Sequence, residues 1–346
     1  MLVLALFLGL RIVPDTANVQ FRQPQIAARQ DLVAVTFGAG DTVYYAGSRD
    51  GGMFFSKPVV VSSKGKLALG RHRGPRIALL PSSIVISAIV GEKGGGADGD
   101  LFAWRSADGG RSWSEPVRVN DVPGAAREGL HAMAAQGDTL FAAWLDLRAQ
   151  GTRLYGASSG DGGRTWSPNV LIYASPAGHI CECCHPSVAI SASGAVYAMW
   201  RNWLGGSRDM YLAQSGDGGK TFHEAEKLGA GTWPLKACPM DGGGLVVTPE
   251  GKVVTVWRRE GEVFLAPASG AESSVGEGWD PALTYGRDGV YAIWKTPAGL
   301  FARLPGKSGP TRVSFEGSFP QLAALPGGLV LAAWEEKGAI VVRAIQ

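Results

Sequence analysis

The densest chemistry in this sequence lies in residues 179–185, His-Ile-Cys-Glu-Cys-Cys-His, which hold three of the chain's 4 cysteines and two of its 5 histidines. Thiolates and imidazoles bind soft metals such as Zn or Cu(I). Thiols also pair as disulfides or act as nucleophiles. The C-x-C-C spacing matches no standard zinc module. Adjacent Cys183 and Cys184 pair poorly with each other, because neighbours in a strand point to opposite faces. Three readings therefore stand side by side. One is a thiophilic metal site built on Cys181, Cys183, Cys184, His185 and Cys238, with His131 and Asp241 as further ligands. The second is a disulfide from Cys238 to one of the other three cysteines. The third is a reactive thiol pair.

Deciding among them requires the elements that carry these residues. A short apolar strand recurs along the chain: VAVTF ending at Phe37, ISAIV at Val90, LFAAW at Trp144, VYAMW at Trp200, VVTVW at Trp257, VYAIW at Trp294 and VLAAW at Trp334. Each copy is β-branched or aromatic and bounded by Gly, Asp or charge, which reads as a buried strand. Another short strand precedes each copy, for example PQIAA at Pro24, PSVAI at Pro186 and PQLAA at Pro320. A third follows, and the early copies add a fourth. Repeated four-stranded units predict an all-β fold, a β-propeller of antiparallel blades. Seven units predict seven blades, with six as the alternative if two short late units share a blade. The last unit stops after three strands at Gln346. Residues 10–14, LRIVP, should supply its outer strand, closing the ring and removing a free edge.

Between the third and fourth strands, the first four units carry SRDGGMFF from Ser48, SADGGRSW from Ser106, SGDGGRTW from Ser159 and SGDGGKTF from Ser215. The shared pattern S-x-D-x-G-x-x-aromatic describes a hairpin turn. The Asp carboxylate accepts backbone N–H bonds, Gly supplies positive φ, and the aromatic packs between elements. These motifs resemble the Asp boxes (BNR repeats) of the sialidase superfamily, over the first four units. The resemblance implies a propeller and puts the boxes on the face opposite an active site, so they are given no catalytic role.

The opposite, upper face should then hold the unusual polar residues: QFRQP, RHRGPR, AAREGLH, WLDLR, HICECCH, WRNWLGGSRD, KACPMDGG, WRRE, GWDP and WEE. Polar loops around a propeller axis are the default site. Adjacent blades bring the starts of their first strands together near the axis. All four cysteines should therefore cluster, although Cys184 and Cys238 are far apart in sequence. The resemblance to sialidases also implies an arginine triad clamping a substrate carboxylate, with an acid/base carboxyl and a Tyr nucleophile. FRQP at Phe21–Pro24 is similar to the family's F/Y-R-I-P, with Gln23 in place of Ile, and makes Arg22 the first arginine. Arg201 and Arg258, each following a second-strand Trp, complete the expected triad. Asp146 or Glu128 is the expected acid and Tyr285 the expected nucleophile. Sialidase propellers have six blades and no C-x-C-C cluster at the centre, and this chain departs from them in both.

The bulk properties bound the partners. The charged fraction is 18% and the net charge +3, with no P-loop, dinucleotide-binding glycine pattern or aromatic-interleaved basic cluster, so nucleic acid is excluded as a partner. The hydrophobic fraction of 45% argues for a well-buried globular chain. Residues 1–9 read as the remnant of a secretion signal, too short to span a bilayer, and residues 10–346 as one propeller domain. The expected function is a sialidase-like glycoside hydrolase, an exported monomer acting on a glycan or small anionic ligand. The alternative is a metal- or ligand-binding propeller without hydrolase activity.

Overall fold

The computed structural model describes residues 9–16, 18–268 and 270–345. Most of the expected signal remnant therefore lies outside the described residues. The chain forms seven antiparallel sheets arranged as the blades of a propeller, with no helix among the described residues. Accordingly, none is long and apolar enough to cross a membrane. Blade 1 spans residues 22–62, and the next five follow in order. The seventh takes three strands from residues 318–345 and its outer strand from Leu10–Ile12, which pairs antiparallel with Val342 to Ile340. The predicted closure is thus present, and the six-bladed alternative falls. A fourth strand is present in every blade, including Ser273–Glu277 of blade 5 and Thr311–Ser314 of blade 6, where the sequence carries no Asp box.

The second strand of each blade is its most apolar, because it is covered on both faces by neighbouring blades. Trp144, Trp200, Trp294 and Trp334 fill those walls and are essentially inaccessible to solvent. Below them the four Asp boxes repeat one hydrogen-bonding scheme. In the third box, Ser159 Oγ donates to Asp161 Oδ1 at 2.9 Å and accepts Gly163 N–H at 2.9 Å, and Asp161 Oδ1 accepts N–H from Arg164 and Thr165, each at 3.0 Å. Gly163 has φ 84°, a conformation costly to any residue with a Cβ. The box aromatics pack on the preceding blade: Trp113 lies 5.4 Å from Tyr45 and Phe222 lies 5.7 Å from Phe141, ring centre to ring centre.

Two irregularities shape the upper face. The inner strands of blades 6, 7 and 1 each carry a bulge at their upper end. Each bulge holds a residue of positive φ directly before a proline: Asp280 (53°), Phe319 (53°) and Gln23 (55°). Such conformations are disfavoured before proline and cluster at functional sites. In blade 2 the inner edge is split between Lys66–Leu67 and Arg76–Leu79, both paired to Ile84–Gly91. The RHRG segment between them leaves the sheet and delivers His72, at φ 57°, to the axis.

Candidate functional site on the upper face

Three polar centres occupy this face. The first is a cleft of about 380 Å³ between blade 7 and its two neighbours, lined by Arg22, Lys295, Ser318, Glu335, Glu336 and Lys337 among others. Glu335 Oε2 lies 3.8 Å from Arg22 Nε and accepts the Gln23 N–H at 3.1 Å. Burial raises the Glu335 carboxyl above the ordinary range, with Asp280 adding to the shift and Gln23, Arg22 and Lys295 opposing it. Lys295 Nζ donates to Ser318 Oγ across the same cleft. Glu336 instead braces the wall, accepting Trp334 Nε1–H at 3.0 Å and pairing with Arg11 at 2.7 Å.

The second centre lies at the axis, above a cavity of about 200 Å³. His72 stacks on His185 at 4.3 Å and bonds Asp280 Oδ1 through Nε2 at 2.8 Å. Asp241 is fully buried. Its Oδ2 accepts the Asp280 N–H at 3.0 Å and lies 3.3 Å from Arg258 Nε. Ligand atoms of His72, Asp241 and Asp280 come within 4.8 Å of one another, although Arg71 and Arg258 already compensate the two carboxylates.

The third centre is the cysteine cluster. All four sulfurs do converge: Cys183 is disulfide-bonded to Cys238, and the buried thiols of Cys181 and Cys184 lie 3.4 Å apart. Cys181 Sγ is 3.6 Å from Cys183 Sγ, and Cys184 Sγ is 3.9 Å from it. Arg208 Nη1–H donates to Cys181 Sγ at 3.1 Å, and the Asp241 N–H to Cys184 Sγ at 3.4 Å. The hydrogen bond with Cys184 lowers the Cys181 thiol, helped by the Arg208 charge, whereas burial raises that of Cys184.

Several sequence expectations need correction. The arginine triad does not assemble. Arg22 faces Glu335 of blade 7, whereas Arg201 and Arg258 pack together between blades 4 and 5, each 5.2 Å from the Trp233 ring. Arg201 directs three of its N–H groups to the carbonyls of Asp241, Arg208 and Arg258 at 3.1, 2.7 and 2.8 Å, and its burial closes it to a substrate. Arg258 donates to Pro239 O at 2.9 Å besides pairing with Asp241. Asp146 is fully buried, accepting Trp144 Nε1–H at 2.7 Å and clamping Arg148 at 2.9 Å, which makes it a brace rather than an acid. Glu128 has a carboxyl raised by burial but sits beside Arg73 and Arg127, outside both cavities. Tyr285 pairs with Val290 at the lower end of its strand, the end opposite Asp280, and cannot reach the upper face.

The two expected histidine ligands also lie elsewhere. His131 is buried between blades 2 and 3, bonded to Ser87 Oγ at 3.0 Å, and burial keeps it neutral. His185 donates Nε2–H to Gly243 O at 3.0 Å and turns its face to His72. Asp241 reaches the cysteines only through its backbone N–H. Sequence reasoning placed Glu335 and Asp280 on this face without a role, and missed His72, Lys295 and Ser318. A residue directly before the first-strand proline, as in Q-P, D-P and F-P, was the available signal for the axis positions.

Seven blades, four of them stapled beneath by Asp boxes, with these polar centres on the opposite face, define an Asp-box β-propeller. Residues 38–258, more than half of the chain, match the family described as BNR repeat-like domain, and the chain belongs to that family. No curated protein matches the chain. Among solved structures, an α-L-arabinofuranosidase from Fusarium graminearum is 16% identical, with a TM-score of 0.54 and 97% of each chain covered. A Hadza microbial sialidase is 15% identical with a TM-score of 0.54, over 91% of this chain and 76% of that one. An ulvan lyase of a polysaccharide lyase family is 10% identical with a TM-score of 0.58, over 94% of each. At these identities the likeness establishes the fold.

Proposed function

We propose that this protein acts on an anionic glycan as a glycoside hydrolase, and that the cleft between blade 7 and its neighbours is the substrate site. The carrying observation is Glu335: a carboxyl raised by burial, 3.8 Å from Arg22, in a cavity of about 380 Å³. A general acid for glycoside cleavage needs a raised carboxyl. Arg22 and Lys295 supply two cations for an acidic sugar. Three structural neighbours named for a glycosidase, a sialidase and a lyase of an acidic polysaccharide support a saccharide as the ligand class. The Cys183–Cys238 disulfide supports an exported setting.

The test is a hydrolysis panel of sialosides, uronides and arabinosides, run with wild type, Glu335→Gln and Arg22→Ala. Turnover of an acidic glycoside, lost in both variants, is expected. Activity that survives both substitutions, or no turnover across the panel, overturns the reading.

A further inference from the structure

The disulfide takes two of the four cysteines. What it leaves behind is unusual: two thiols, each 1% exposed, 3.4 Å apart and unbonded, in a chain that oxidises their neighbours. Besides the contact between the two thiols, each sulfur faces one N–H donor. A guanidinium N–H points at Cys181 Sγ and a backbone N–H at Cys184 Sγ. Between two protonated thiols one S–H can donate to the other sulfur, and the second has only the disulfide sulfur of Cys183 in range. Sulfurs that each face an N–H donor are arranged as ligating thiolates are, with outer partners that stabilise their charge.

A third sulfur-bearing residue adjoins the group. Met240 packs its thioether side chain against the cysteine cluster. Its backbone has φ 54°, a strained conformation for a long side chain, which a structure tolerates where geometry demands it. The disulfide at Cys238 and the ties of Asp241 to Arg258 and Asp280 fix the loop on either side. We propose that Cys181, Cys184 and Met240 form a binding site for a monovalent soft cation of the Cu(I) class.

Ligand softness and charge select this class. Two thiolates and a thioether suit a soft cation. Two thiolates around a monovalent ion leave one negative charge, which Arg208 faces at 3.1 Å. A divalent ion would leave the pair neutral and the Arg208 guanidinium uncompensated. Zinc also takes four ligands, and the nearest carboxylate, that of Asp241, is engaged with Arg258 and the Asp280 N–H. Binding involves no electron transfer. Three metal–sulfur bonds form, two to thiolates and one to the Met240 thioether, and whatever protons the two thiols carry pass to solvent.

The full chain, purified with its disulfide intact, is loaded anaerobically with Ag(I) or with Cu(I), then desalted. Retained metal and alkylatable thiols are counted on the same sample. One ion per chain, with Cys181 and Cys184 alkylated more slowly than in metal-free protein treated alongside under the same mildly denaturing conditions, is expected. Cys181→Ser and Cys184→Ser should abolish retention, and Arg208→Gln should weaken it about tenfold. A Cys183→Ser/Cys238→Ser variant should still retain one ion. The wild-type alkylation pattern keeps the test decisive even where a single variant fails to fold. The assignment is overturned if no ion is retained, if retention requires reducing the Cys183–Cys238 bond, or if zinc displaces the bound ion. A Cys181–Cys184 disulfide in anaerobically prepared protein overturns it too.

Discussion

The lower and upper faces of this propeller carry similar residue types and use them in opposite ways. Below, Asp50, Asp108, Asp161 and Asp217 sit in four copies of one turn. Every one of these carboxyls is lowered, with hydrogen bonds from Ser, Thr and backbone N–H groups holding the charged form against desolvation. Above, the polar arrangements vary from blade to blade apart from a Trp–carboxylate brace shared by blades 3 and 7; Asp280 and Glu336 are held down by their partners, but Glu335 and Glu128 are raised by burial. Repetition with every acceptor satisfied marks groups that serve the scaffold. Irregularity with raised carboxyls, bulges and positive φ marks a face shaped for something else.

Substitutions chosen from the two faces should therefore separate activity from stability. Glu335→Gln should lower turnover of the acidic substrate by about a hundredfold or more, the usual contribution of a general acid, while leaving thermal unfolding close to wild type. The walls between blades should respond the other way. Trp200 is completely buried between blades 3 and 4, so Trp200→Ala should cost about 3–5 kcal/mol of stability, read by denaturant unfolding. Ser159→Ala is the milder lower-face change. It leaves the Gly163 N–H without its acceptor and should cost about 1–2 kcal/mol, with turnover unchanged. If Ser159→Ala abolished turnover in folded protein, or Glu335→Gln unfolded the chain, the division between faces would fail.

The two faces also differed in how far they could be read in advance. Strand repeats, Asp boxes and the closing strand at residues 10–14 were legible because each rests on local pattern: alternation, a turn signature, a missing edge. Convergence of the cysteines was legible from topology, since neighbouring blades start their first strands side by side. Side-chain direction was not. Arg201 follows a second-strand Trp as an active-site arginine would, yet three carbonyls brought in by the chain around Asp241, Arg208 and Arg258 take its donors. No sequence spacing reports where those carbonyls lie. His72 was hidden for a related reason. It sits in a segment that interrupts the inner edge of one blade only, so no repeat predicts it. Tyr285 was a different error, because strand polarity alone puts it at the lower end.

The smallest expected effect distinguishes the faces by sign. Asp161 is lowered to about 2 in the folded chain, below the ordinary value of about 3.9 for an unfolded Asp. Its contribution to stability is therefore present above the unfolded value and lost as pH falls from about 4 toward 2. That loss is modest because the group is partly exposed and screened by solvent. Glu335 is raised, so the folded state holds its proton to a higher pH than the unfolded chain. Its penalty is absent below the unfolded pKa and grows as pH rises through the interval up to the folded pKa. Relative to wild type, Glu335→Gln should gain stability across that interval, and Asp161→Asn should lose most at neutral pH and converge on wild type in acid. Unfolding midpoints of the three proteins from pH 3 to pH 7 measure both slopes. If the two variants moved in the same direction relative to wild type as pH rose, Asp161 and Glu335 would not be poised in opposite senses, and Glu335 would lose its claim to be the acid.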